Sequence, residues 1–210
     1  MPIIGLTGNF GMGKSTVLGL FSKLGAFTFS ADEFVHNILT SPKIIRKLTK
    51  VLGREILTVS SRNISINKKH VADIIFNDPH KRKAVEKIIH PEVLKLINQT
   101  ASDIQSREPS AIIIFEVPLL FEAGYAGHFH KTIVVYCRRD TAIARLTRKG
   151  FSRNEVLKRI RTQMPIAEKK KHADLLIDNN NGVKNTESQV RQIIQKLSPS
   201  TSSLQNESAF

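Results

Sequence analysis

Short apolar runs punctuate the chain, and between them apolar residues recur at helical spacing. Ile3-Ile4-Gly5-Leu6-Thr7 reads as a buried strand that passes at once into a glycine-rich turn. From Lys14 to Leu24, the side chains of Val17, Leu18, Phe21 and Leu24 share one helix face. Ala26-Phe27-Thr28-Phe29 predicts a second strand. Ala111-Ile112-Ile113-Ile114-Phe115 and Thr132-Ile133-Val134-Val135-Tyr136 are unbroken apolar runs, the pattern of central parallel strands covered on both faces. Leu175-Leu176-Ile177 predicts a short last strand, closed by the turn-prone Asn179-Asn180-Asn181-Gly182.

Helices fill the gaps. The stretch 33–105 reads as mostly helical, with Ser41-Pro42 and Asp78-Pro79 each placing an N-cap before a proline at the first helical position. Ile44, Ile45, Leu48, Val51 and Leu52 form one stripe, and Val85, Ile88 and Ile89 another. The second helix is expected to stop or bend at His90-Pro91, because proline disfavours helical geometry in its predecessor. A helix is also predicted over 140–149. Ser152-Arg153-Asn154-Glu155 fits a capping box opening another, and a last helix covers 185–197. The Ser-rich segment from Ser198 onward predicts a disordered tail. Strands alternating with helices predict an α/β fold, a parallel sheet flanked by helices.

The first turn carries the clearest chemistry. Gly8-Asn9-Phe10-Gly11-Met12-Gly13-Lys14-Ser15 matches G-x-x-x-x-G-K-[ST], and Thr16 follows. Glycines let the backbone take positive φ and approach a phosphate, so that successive N–H groups converge on one anion. The positive end of the following helix faces the same spot. Lys14 can reach the β- and γ-phosphates of ATP, and the Ser15 hydroxyl can bind Mg²⁺. This motif between a strand and a helix points to nucleotide chemistry.

Other acidic and basic residues stand where open parallel sheets bind ligands, beyond the carboxyl ends of strands. Asp32 follows the second strand, placed either to take a proton from an acceptor hydroxyl or to cap the next helix. Glu116 follows the third strand, as a metal-associated acid or as the partner of a nearby base. Arg145 and Arg148 lie one helical turn apart and share a face; they stabilise transferring phosphoryl charge or are simply surface arginines. His36 and His90 suit helix packing, and His128-x-His130 has no metal-ligand pattern around it.

Composition narrows the class. With 210 residues, the chain is long enough for one well-buried domain with smaller inserted subdomains. No apolar run approaches the roughly 20 residues of a membrane span, and the first residues lack the pattern of a signal peptide. Cys137 is the single cysteine, which excludes an internal disulfide and fits the cytoplasm. The formal net charge is +14, with arginines and lysines crowded over 138–171, so an anionic partner is expected. Two Tyr and no Trp argue against base-stacking platforms for nucleic acid. Two alternatives stay open on these grounds: another small-molecule kinase, or a nucleic-acid-binding ATPase.

Several segments coincide in order with one family. Gly5-Leu6-Thr7-Gly8 through Thr16, Ser30-Ala31-Asp32 with His36, His90-Pro91 and Pro118-Leu119-Leu120-Phe121-Glu122 are followed by Arg145-Leu146-Thr147-Arg148. Arg159-Ile160-Arg161-Thr162-Gln163-Met164-Pro165, Lys169 and Ala173-Asp174-Leu175-Leu176-Ile177-Asp178-Asn179 complete the set. Over residues 3–197 the chain resembles the dephospho-coenzyme A kinase family. It departs from the family pattern at Ser30 and Glu116, where the family commonly has Asp.

The resemblance implies a P-loop nucleoside triphosphate hydrolase fold, with a core over about 3–31, 108–140 and 172–197. It also implies a helical coenzyme-binding insertion over about 32–107 and a lid over about 141–171. The implied reaction phosphorylates the ribose 3′-hydroxyl of dephospho-CoA with ATP, giving coenzyme A and ADP. Asp32 would be the base, Lys14, Arg145 and Arg148 catalytic, and Ser15 the Mg²⁺ ligand. Gly8, Gly11, Met12, Gly13, Lys14, Ser15, Thr16 and Asn179 would hold ATP. His36, His90, Glu116, Leu119 and Arg159 would join Asp32 at the acceptor. No nucleic acid or membrane is implied as a partner, and no oligomeric state is specified.

Overall fold

A computed structural model describes residues 2–60 and 63–197; the tail expected from Ser198 lies outside them. In chain order the elements are β1 (Ile3–Thr7), α1 (Lys14–Lys23), β2 (Phe27–Ser30), α2 (Ala31–Ile38), α3 (Pro42–Leu52), β3 (Leu57–Ser60) and β4 (Asn63–Ile66). There follow α4 (Lys68–Asn77), α5 (Pro79–Arg107), β5 (Ile113–Glu116), β6 (Lys131–Tyr136), α6 (Arg139–Arg148), α7 (Arg153–Arg161), α8 (Ile166–His172), β7 (Leu175–Asp178) and α9 (Val183–Leu197). They form two compact units: residues up to Phe29 with those from Ala101 onward, and Ser30–Thr100.

The first unit is built on a five-stranded sheet of order β2-β5-β1-β6-β7. The β1–β5, β1–β6 and β6–β7 pairs are parallel, with Ile4 opposite Ile114 and Leu6 opposite Ile133. Strand alternation decides which layer each residue meets. Ile4 and Leu6 pack with Val17 and Phe21 of α1 and Val190 and Ile193 of α9. Gly5 points the other way, where a Cβ would collide with Leu120 and come within 2.9 Å of Phe129. Phe115 stacks on Phe29 at 5.2 Å on its own side. Both faces of the sheet are therefore covered, as the unbroken apolar runs require.

Asp174 pins the last two strands. Its carboxylate accepts from the Thr132 N–H at 2.8 Å and the Thr132 hydroxyl at 2.9 Å, and pairs with Lys131 at 3.4 Å. Burial alone would raise its pKa, but the Thr132 donors and the Lys131 ammonium outweigh it and hold the carboxyl below the ordinary 3.8. A depressed carboxyl stabilises the fold above its unfolded pKa, and that gain is lost as pH falls through the lower folded value. Thermal stability is thus expected to decline on acidification below about pH 4. Asp174→Asn should flatten part of that decline in a calorimetric series against pH.

The second unit holds α2 to α4, the β3–β4 hairpin and most of α5. The antiparallel hairpin, with Leu57 opposite Ile66, interrupts a stretch expected to be mostly helical. Asp78 caps α5 as expected, accepting from the His80 and Lys81 N–H groups at 2.9 and 3.0 Å. The helix does not stop at His90-Pro91, the first of the two expected outcomes: α5 runs on with Pro91 inside it. Val85, Ile89, Val93 and Ile97 recur every fourth residue across the proline and are buried. That stripe offsets the roughly 3 kcal/mol an interior proline costs. No helix among the described residues is long and apolar enough to cross a membrane.

Candidate active site

The turn between β1 and α1 takes its shape from glycine. Gly11 and Gly13 hold φ of 81° and 90°, the left-handed region that strains any L side chain. A Cβ on Gly11 would lie 2.6 Å from Leu146 Cδ1, and one on Gly13 would overlap the Asn179 amide nitrogen. Gly13 is the N-cap of α1 and contributes no side-chain acceptor. The first-turn N–H groups of α1 are then the donors an anion would meet. Gly13→Ala is expected to weaken ATP binding on the order of tenfold to a hundredfold, measured by titration calorimetry.

This turn forms one wall of a cleft of about 580 Å³ whose lining also includes Glu116, Arg145, Arg148 and Asn179. Gly11, Gly13, Lys14, Ser15 and Thr16 of the sequence motif line it as well. Lys14 Nζ stands 3.9 Å from Glu116 Oε1, both side chains largely buried. Arg145 Nη2 donates to the Asn179 carbonyl at 2.8 Å, while its Nη1 is buried without a protein acceptor. Such an orphaned donor suits a phosphate oxygen. Arg148 donates from Nε to the Ala144 carbonyl at 3.3 Å and is otherwise exposed. Lys149, Gly182 and Val183 also line the cleft; in sequence Lys149 is one of a basic run and Gly182 a turn residue, and nothing local assigns any of the three to a site.

The turn is braced from below by the segments shared with the family. Phe10 N–H donates to Gln163 Oε1 at 2.8 Å, and Asn9 Nδ2 donates to the Met164 carbonyl at 3.0 Å. Met164 N–H in turn donates to Glu122 Oε1 at 2.9 Å. The same carboxylate pairs with fully buried Lys169 at 2.9 Å, and Lys169 also donates to the Pro118 carbonyl at 3.1 Å. Burial lowers the Lys169 pKa, against the opposing pull of Glu122. Thr7 Oγ1 shares the Pro118 carbonyl. Gln163, Glu122 and Lys169 thus connect the end of β5 and the start of α8 to the turn.

Of the remaining predicted residues in this unit, Asn179 lines the cleft and the others lie outside its lining. Gly8 lies under the turn, where a Cβ would strike the Val135 carbonyl oxygen. Met12 is turned inward: its Sδ accepts from Cys137 N–H at 3.1 Å and lies 3.5 Å from Cys137 Sγ. Burial raises the Cys137 thiol pKa, the trait of an inert structural cysteine. The Asn179 side chain is also turned inward, its Nδ2 on the Met12 carbonyl at 2.9 Å. Arg159 lies outside the lining and stacks 5.1 Å from the ring centre of Phe10, which lines it. Leu119 is exposed in the segment after β5. His128 sits against Tyr125, and His130 Nδ1 accepts from the Ile3 N–H.

In the second unit, Asp32 and His36 lie on α2 and line a shallow depression with Glu33 and Asn37. His36 Nδ1 contacts Lys68 Nζ. His90 is half-buried on α5, and burial pushes its pKa down against the opposing charge of Glu86.

The fit to Mg²⁺ follows from the donors present. Ser15 and Glu116 supply oxygen in the cleft, and Mg²⁺ beside a nucleotide takes few protein ligands and fills its shell with phosphate and water. Ser15 would hold the ion.

A largely parallel sheet whose central strand runs into a glycine turn at a helix N-terminus, with a cationic cleft at that turn, defines a nucleotide-binding protein of the P-loop fold. The family model for dephospho-CoA kinase matches residues 2–185. A curated dephospho-CoA kinase of Carboxydothermus hydrogenoformans is 38% identical over 93% of this chain and 94% of its own. A crystal structure from Thermus thermophilus aligns at a TM-score of 0.79 and 31% identity, covering 94% of this chain and 98% of its own. The dephospho-CoA kinase of Campylobacter jejuni aligns at 0.68 and 27% identity, covering 93% and 96%. The chain belongs to the dephospho-CoA kinase family.

Proposed function

We propose that this enzyme transfers the γ-phosphoryl group of ATP to the ribose 3′-hydroxyl of dephospho-CoA, giving coenzyme A and ADP. The observation that carries the reading is the family match over residues 2–185; the glycine turn and cationic cleft supply the chemistry it asks for. The acceptor oxygen bonds to the γ-phosphorus as the bond to the β–γ bridging oxygen breaks, and the hydroxyl proton passes to Asp32. ADP leaves with the bridging oxygen. The N–H groups of residues 11–16 and the Lys14 ammonium hold the β- and γ-phosphates, and Arg145 and Arg148 take up charge on the transferring oxygens. When bound at Ser15, Mg²⁺ neutralises phosphate charge.

The assignment of Asp32 rests on its place directly after β2 and on the family pattern, in which it is retained. His36, His90, Glu116, Leu119 and Arg159 are assigned to the acceptor side on the same pattern. The run over about 141–171, with its arginines and lysines, is read as the lid and about 32–107 as the coenzyme-binding insertion. Both substrates are polyanions, which the +14 net charge suits without any nucleic acid. We place the reaction in the cytoplasm, where the buried thiol of Cys137 stays reduced. Phosphorus NMR and mass analysis of the product test the reading. A single new phosphomonoester on the 3′-oxygen supports it, and a product phosphorylated elsewhere removes it.

A further inference from the structure

We propose that Thr186 is a positioning residue for nucleotide binding, its hydroxyl setting the Asn179 side-chain amide that braces the glycine turn. The inference rests on the ATP-binding reading above. Thr186 is fully buried in the first turn of α9, and Asn179 is 4% exposed just beyond β7. Asn179 reaches three ways. Its Nδ2 donates to the Met12 carbonyl at 2.9 Å, its Oδ1 accepts from the Thr186 hydroxyl at 2.9 Å, and its backbone carbonyl accepts from Arg145 Nη2 at 2.8 Å.

Hydrogen-bond chemistry leaves the amide one orientation. The Met12 carbonyl can only accept, so the atom facing it is Nδ2, and Oδ1 must face Thr186. The flipped amide would oppose two acceptors in a buried place. The Thr186 hydroxyl also lies 3.1 Å from the Gly182 carbonyl, but its single proton cannot serve both. Directing it to Gly182, whose carbonyl already accepts from the Thr186 N–H at 3.3 Å, would leave Asn179 Oδ1 without a donor. Thr186 is thus a donor to Asn179.

The consequence reaches the cleft because the space for a Cβ on Gly13 is filled by Asn179 Nδ2. An amide that swings away from Met12 either releases that carbonyl or presses on Gly13, the residue before Lys14. The backbone carbonyl of Asn179 holds Arg145, whose second amino group is the orphaned donor of the cleft. One hydroxyl outside the cleft therefore sets a wall of the phosphate site.

The test is the dissociation constant of Mg²⁺-ATP by titration calorimetry, alongside KM for each substrate and thermal stability. Thr186→Val keeps the shape and removes the donor; it should weaken ATP binding about tenfold, with KM for dephospho-CoA changed less than about twofold. Thr186→Ser should restore binding to within about twofold of the wild type. In an Asn179→Ala background, adding Thr186→Val should change ATP binding no further. Should Thr186→Val fail to fold, Thr186→Ala removes the same donor with less bulk and carries the test.

A Thr186→Val protein that melts earlier yet binds ATP like the wild type overturns the proposal. So does an undiminished effect in the Asn179→Ala background. Wild-type protein that binds no ATP overturns the nucleotide reading and this inference with it. Wild-type binding with unaltered Thr186→Val binding overturns this inference alone.

Discussion

Lys14→Met is expected to lower kcat/KM about a thousandfold, equivalent to about 4 kcal/mol of lost transition-state stabilisation, while leaving the protein folded. Lys14 opens α1, and only 12% of its side chain is exposed. Its ammonium therefore acts in a poorly solvated place, where a charge is worth far more than in water. Methionine keeps most of the aliphatic stem and deletes the charge. The loss should fall more on kcat than on KM for dephospho-CoA, because the γ-phosphoryl oxygens need the cation most as they transfer. Steady-state kinetics with a circular-dichroism check of folding decide it. A drop smaller than about tenfold would remove Lys14 from the catalytic machinery.

Asp32→Asn is expected to reduce kcat about a thousandfold with the affinity for ATP unchanged. Asparagine preserves the size of the side chain and one acceptor oxygen but cannot take up the hydroxyl proton. Asp32 stands in the first turn of α2, two residues beyond β2, so its substitution leaves the glycine turn and Lys14 untouched in sequence. Calorimetry reports ATP binding and a rate assay reports turnover, so the two roles separate. Full turnover by Asp32→Asn would reduce Asp32 to the helix-opening residue its position equally allows.

What the sequence displays and what it hides divide along the range of the interactions. The glycine turn is legible because φ above zero and close phosphate approach are demands on single residues, met at Gly11 and Gly13. The central strands are legible because burial on both faces writes itself as Ile113-Ile114-Phe115 and Ile133-Val134-Val135. The β3–β4 hairpin is hidden: each strand is four residues long, and strong helical stripes stand on either side. Pro91 misleads because local sterics oppose a helix that the buried stripe from Val85 to Ile97 sustains.

The site divides in the same way. Lys14, Ser15, Glu116 and Arg145 announce themselves by type and position, and they line one cleft. The braces under the turn do not, since Phe10 with Gln163 and Asn9 with Met164 join residues more than 150 positions apart. The inward bonds of Met12 and Asn179 are equally hidden in sequence, the Met12 sulfur meeting Cys137 and the Asn179 amide, in the cleft lining, meeting the Met12 carbonyl and Thr186. Thr186 itself carries no pattern at all. Its meaning exists only once β7 and α9 are folded against the turn.

The most direct measurement is ADP release from Mg²⁺-ATP by the wild-type enzyme, with dephospho-CoA compared against adenosine and a panel of nucleosides and nucleotides. ADP release with dephospho-CoA, far above that with any other acceptor, and a product that behaves as coenzyme A are expected. Turnover on a nucleoside or nucleotide with none on dephospho-CoA would contradict the proposed reaction.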